Sequence, residues 1–154
     1  MKNSIFNAND YQNLVERLNK LNTNSKNVHG IISANQMVCH LTDPFLDLLK
    51  MRETKPAVPF FLRPLLKGFL LSEKPWKFGL KTLKLYKQGD GGNGTKPVNF
   101  DTDKNKLLEL ADKFHKVPAA YEFGPHGGIG KLKREENGFL MWKHMDHHLK
   151  TFDL

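Results

Sequence analysis

Three of the seven histidines, His144, His147 and His148, crowd into one short stretch near the C-terminus, Trp142-Lys143-His144-Met145-Asp146-His147-His148-Leu149. Residues four apart on a helix are surface neighbours, with roughly 5–6 Å between their Cβ atoms. A helical His144 and His148 can therefore hold one metal ion from one face. Such a pair is an incomplete site and needs at least a third ligand from elsewhere in the chain. Helical angles, at about 100° per residue, sort the cluster. With His144 at zero, Met141, Met145, Leu149 and Phe152 centre near roughly 90°, and His148 lies at about 40°, on the near edge of that apolar face. His144 sits at its margin, and His147 falls outside it at about −60°. Asp146 and Lys150 occupy the polar side. The inward pair is His144 and His148.

The same geometry finds a third imidazole. On the segment Ala34–Leu48, Met37, Leu41, Phe45 and Leu48 form an apolar face, and His40 stands at its margin with Gln36, Asp43 and Asp47 flanking it. If the two helices are neighbours, His40 meets His144 and His148 in the interior. Three imidazoles with an open fourth position is the arrangement of a catalytic rather than a structural metal site. Neutral imidazoles suit zinc or nickel first, with iron or manganese as alternatives. Asp43, Gln36 and His147 are placed to orient ligands or move a proton. His126, on the glycine-rich turn Gly124-Pro125-His126-Gly127-Gly128, can fold over the site towards a substrate. His29 and His115 read as surface residues. Cys39 is about 100° from His40 on the helix and reads as a buried small hydrophobe. Trp142 reads as a packing residue.

Four helices must position these groups. The first opens at Asn9, with Gln12 at capping-box spacing, and repeats Leu14, Leu18 and Leu21. The second opens at Ser33 with Gln36 three residues on, and Pro44 inside it predicts a kink. The third spans about Asp101 to Val117, stopped by Pro118, and the fourth runs from about Glu135 to the end. Residues 54–75 are punctuated by four prolines yet too apolar for a solvated linker, so they are expected to pack across the bundle. Gly89-Asp90-Gly91-Gly92-Asn93-Gly94 reads as a mobile loop, and it lacks the lysine spacing of a phosphate cradle. The expected fold is all-α, a single domain over residues 1–154, a four-helix bundle with a long crossover between helices 2 and 3.

These residues resemble the DinB/YfiT-like superfamily of metalloenzymes. The likeness lies in the Ser-x-x-Gln-Met-x-x-His-Leu setting of His40 and the HxxxH of the last helix. A branch of small bacterial domains in that superfamily ends roughly in HP-x-F-G-x-L, then EWG, then HLDHHL-x-x-F. Here those read His126-Gly127-Gly128-Ile129-Gly130-Lys131-Leu132, then Glu136-Asn137-Gly138, then His144 through Phe152. Gly127 and Asn137 depart from the pattern, and Lys133 stands where a capping Ser or Thr is expected. The resemblance implies His40, His144 and His148 on one divalent metal, a small-molecule substrate such as a thiol, and thiol S-transfer or hydrolysis as the reaction.

Bulk properties set the class. The chain has 154 residues, 39% hydrophobic and 26% charged, with net charge +8. Met1-Lys2-Asn3-Ser4 leads into polar residues, which argues against a secretory signal. No apolar run reaches the roughly 20 residues of a membrane span. One cysteine excludes an internal disulfide and fits a reducing, cytoplasmic compartment. A second reading is a non-catalytic basic protein. From Lys74 to Lys87, five lysines interleave with Trp76, Phe78 and Tyr86, which can grip phosphates and stack bases or lie on an anionic bilayer. Such segments usually face water, so nucleic acid is disfavoured as a partner. Phe60 to Leu71 is the expected face for a homodimer.

Overall fold

The computed structural model describes residues 2–154; Met1, where the expected domain begins, lies outside the described residues. Five α-helices follow in chain order: α1 Ala8–Lys20, α2 Ala34–Leu48, α3 Arg63–Leu70, α4 Phe100–His115 and α5 Arg134–Lys150, with a 3₁₀ turn at Phe60–Leu62 leading into α3. Among the described residues there is no β-strand, only one isolated bridge between His126 and Gly130. The long helices α1, α2, α4 and α5 make a helical bundle in which α2 packs on α4 and α5, and α1 on α5. The crossover between α2 and α4 carries α3.

The caps explain the boundaries. Ser33 and Gln36 form the full capping box expected of them, with each side chain bonded to the other's backbone N–H. The start of α1 differs from expectation: Asn7, not Asn9, caps it, accepting from the N–H groups of Asn9 and Asp10. Asn is as good a cap as Ser and offers its carbonyl to two donors. Lys133 has no side-chain acceptor, so only half a capping box opens α5: its N–H donates to Glu136 Oε2 at 2.9 Å.

Leu14 and Leu18 of α1, Met37, Leu41, Phe45 and Leu48 of α2, Leu107, Leu110 and Phe114 of α4, and Met141, Met145 and Leu149 of α5 form one buried core. The helix α2 continues through Pro44 to Leu48 and is buried nearly all round. The expected polar flank of α2 is therefore inside: Asp43 and Asp47 are 0% and 1% exposed. Ion pairs make this tolerable, because Arg52 reaches both carboxylates. Asp146, assigned above to the polar side of α5, is likewise buried and bonded to Arg17 of α1 at 2.8 Å.

The crossover departs from expectation. Residues 54–75 lie against the bundle, yet none is fully buried, and Phe60 is 77% and Leu65 76% exposed. Lys67 Nζ bonds Glu136 Oε2 at 2.8 Å and ties α3 to α5. The glycine loop after Tyr86 is tied by backbone bonds from Asn93 to Lys84 and from Gly94 to Lys87. Among the described residues no helix is long and apolar enough to cross a membrane.

Candidate metal centre

The second and last helices bring their histidines together. The rings of His40, His144 and His148 form a near-equilateral triangle, with centroids 4.9, 4.6 and 4.8 Å apart. One ring nitrogen of each lies within 4.8 Å of the others. His40 Nε2 and His144 Nε2 are 3.0 Å apart. Two donors each about 2.0–2.1 Å from a tetrahedral zinc stand roughly 3.3 Å apart. The pair is thus set at nearly the spacing a shared ion needs, with a nitrogen of His148 within 4.8 Å of both.

The donor set has the right chemistry for a cation. His40 Nδ1 lies 2.8 Å from the backbone carbonyl of Tyr86. A carbonyl only accepts, so Nδ1 carries the proton and Nε2 presents its lone pair to the cluster. Burial pushes the imidazole pKa of His40 below its ordinary value, against the opposing pull of the Tyr86 carbonyl and Asp43. Burial, reinforced by the neighbouring rings, holds His144 and His148 well below the usual imidazole range. All three are neutral at pH 7, the form a metal ligand must take.

The group that orients His40 is Tyr86, 46 residues away in the crossover. Its hydroxyl donates to Asp47 Oδ2 at 2.5 Å and accepts from the N–H of Gly127 at 2.8 Å. Asp43, the carboxylate expected to orient a ligand, is instead held by Arg52 and by Thr95 through both its N–H and its hydroxyl. Gln36 is spent in the capping box of α2. Neither reaches the imidazoles. Nothing in the sequence near His40 signals Tyr86; a lone tyrosine in a lysine-rich segment carries no periodicity.

The turn bearing His126 does fold onto the site. His126 is 7% exposed, packs beside Tyr86 with ring centroids 5.5 Å apart, and has its pKa pushed down to about 4 by burial. Its Nδ1 accepts from the N–H of Gly128 at 3.1 Å, so Nε2 bears the proton. His126 and His147 both line a cavity of about 200 Å³ over the three imidazoles. Its other walls are mainly apolar, from Leu66 and Leu70 of α3, Leu80 and Leu83 of the crossover, and Leu140 and Met141 of α5. Trp76 closes one side, 5.5 Å from the ring of His147, and its indole N–H is buried without a partner. A wider space of about 670 Å³ shares His40, His147 and His148 and is edged by His29, Lys81 and Lys87.

The remaining sequence candidates lie apart from the cluster. Cys39 is buried, and its thiol is pushed up to about 12 by burial and by Asp103. His115 is half-buried, bonded to the Ile5 carbonyl at 2.6 Å and stacked on Tyr11. His29 is exposed and stacks on Phe78. Trp142 packs against the core. No family model, curated protein or solved structure matches the chain.

Proposed function

We propose that the chain is a divalent-metal-dependent enzyme of the DinB-like type, with His40, His144 and His148 as its ligands and zinc or nickel as its metal. The convergence of three neutral imidazoles from two helices, one buried and two half-buried, carries this reading. When bound, such an ion lowers the pKa of a water or thiol at its open position. The protein groups around that position favour a thiol. No carboxylate lines the cavity, so only imidazoles can take a proton there, and a thiol, ordinarily at about pKa 8.5, gives one up more readily than water does. His147, neutral and half-buried at the rim, is the group placed to take a proton. His126 Nε2–H is the donor placed to hold a polar group of the substrate. The apolar walls and the volume of about 200 Å³ fit a small molecule with one polar end. The single free thiol, Cys39, is compatible with a reducing, cytoplasmic setting.

The nucleic-acid form of the basic-segment alternative is less well supported. The aromatic rings that would stack bases are engaged: Tyr86 is buried, Trp76 packs on the histidines and Phe78 stacks on His29. The test of the metal reading is direct. Purified protein is reconstituted with zinc and with nickel, and its metal content is measured beside His144→Ala and His148→Ala. One equivalent is expected in the wild type and little in either variant. A wild type that stays metal-free under both conditions refutes the reading.

A further inference from the structure

Exposed apolar surface and positive charge are concentrated in the same segment. Residues 54–88 contain eight lysines and arginines and one acid, Glu73, a net +7 within a chain whose total is +8. Among the described residues, seven of the eleven large hydrophobic side chains left exposed fall there as well. Phe60, Phe61 and Leu65 are 77%, 66% and 76% exposed, at the 3₁₀ turn and on α3. The opposite face of α3 is committed, with Leu66 and Leu70 lining the histidine cavity. Large apolar side chains left this exposed and this close together in the chain mark a candidate contact surface.

Charge decides what it contacts. A second copy of the chain would bring two +7 segments face to face, which opposes self-association through this surface. Nucleic acid would satisfy the charge but leave Phe61, Leu62 and Leu65 in water. An anionic bilayer satisfies both: phenylalanine and leucine enter the boundary of headgroups and acyl chains while the lysines pair with lipid phosphates. We propose that the crossover, with α3 at its centre, docks peripherally on an anionic lipid surface. The proposal is independent of the metal.

The experiment is co-sedimentation of the full chain with vesicles of phosphatidylglycerol and of phosphatidylcholine, at low and high salt. Binding is expected to the anionic vesicles and not to the neutral ones, and to weaken with salt. Leu65→Asp removes the apolar contact at an already exposed position, and far-UV circular dichroism checks that the fold survives. It should lower the partition coefficient at least about ten-fold, since insertion depends on the buried apolar area. Lys74→Glu with Lys77→Glu should lower it at least about 25-fold, at about five-fold for each charge lost. The same charge change on α4, Lys106→Glu with Lys113→Glu, should have a much smaller effect. The proposal is overturned if the wild type does not bind anionic vesicles, or if Leu65→Asp binds as well as wild type. It is also overturned if the α4 pair weakens binding as much as the crossover pair, or if low salt yields a dimer that Leu65→Asp dissolves.

Discussion

Tyr86→Phe should cost this domain far more than one hydroxyl group suggests. The side chain is 4% exposed and its hydroxyl sits between two buried partners. Its hydroxyl donates to the buried carboxylate of Asp47 and accepts from the buried N–H of Gly127. A hydrogen bond to a charged group contributes about 1.5–3 kcal/mol, and a buried donor left without an acceptor costs about 1–3 kcal/mol. Asp47 keeps Arg52 and Thr54 as partners, which cushions the first loss. The ring itself keeps its packing, so we expect about 3 kcal/mol in total, a large share of the roughly 5–15 kcal/mol that holds a domain together. At roughly 2–4 °C per kcal/mol for a chain of this length, the Tm should fall by about 6–12 °C. Urea unfolding with a fixed m-value measures the change. A double-mutant cycle with Asp47→Asn should show a coupling energy above about 1 kcal/mol. A loss below about 0.5 kcal/mol, or additivity in the cycle, would show that the hydroxyl does not tie the crossover to α2.

Zinc should raise the Tm in proportion to its affinity, by the equivalent of about 2.7 kcal/mol at one hundred times Kd, and chelator should reverse it; a differential scanning experiment in which His144→Ala gains as much as wild type contradicts the ligand assignment. Metal-free protein should lose stability on acidification. The folded pKa of His126, about 4, lies below the unfolded value near 6.5. The unfolded chain therefore binds the proton first, and its stabilising contribution is complete above about pH 6.5 and lost as pH falls towards 4. The difference is worth about 3 kcal/mol, with His40, His144 and His148 shifted in the same direction; denaturant midpoints at pH 7 and 4.5 that coincide would exclude it. Gly138→Ala should destabilise by about 1–3 kcal/mol, because an added methyl meets Ser4 Oγ at 2.4 Å and the Phe6 ring at 2.5 Å. Equal stability of that variant by chemical denaturation would mean that the N-terminal segment moves aside freely.

Helical angle was enough to choose His40, His144 and His148, because a 3.6-residue period converts sequence position into direction whenever the core side is marked by apolar residues. The same device misplaced Asp43, Asp47 and Asp146. Each was put on a polar face, and each is buried against an arginine outside its own helix, Arg52 just past the end of α2 for Asp43 and Asp47 and Arg17 of α1 for Asp146. Charge in a sequence says only that a side chain needs water or a partner. It does not say that Arg52 or Arg17 will be the partner. Gly138 has a local reason that no periodicity signals: Ile5 N–H bonds its carbonyl at 3.0 Å, and the N-terminal segment lies where a side chain would stand. Tyr86 and Trp76 stood out only as aromatic rings of a basic segment, not as neighbours of the histidines. Irregular backbone has no period, and their places are set by tertiary contacts.

The placement of carboxylates has a consequence for what the proposed site will accept. Three neutral imidazoles leave the charge of a divalent ion uncompensated, and the cavity walls supply no carboxylate to balance it. Asp43 and Asp47 lie on the same helix as His40, but Arg52 and the threonines already use their charge. A site with uncompensated positive charge and low-dielectric walls favours a ligand that arrives as an anion or becomes one on binding. Asp146 or Glu136 cannot serve as a substitute counter-charge, because each is tied to a basic side chain, Arg17 and Lys67. A glutamate introduced at Leu140, on the cavity wall, should therefore tighten zinc but weaken binding of an anionic inhibitor such as a small thiol. Isothermal titration of metal, then of thiol into the metal-loaded protein, separates the two effects. If both affinities move in the same direction, the charge of the site does not select its ligand.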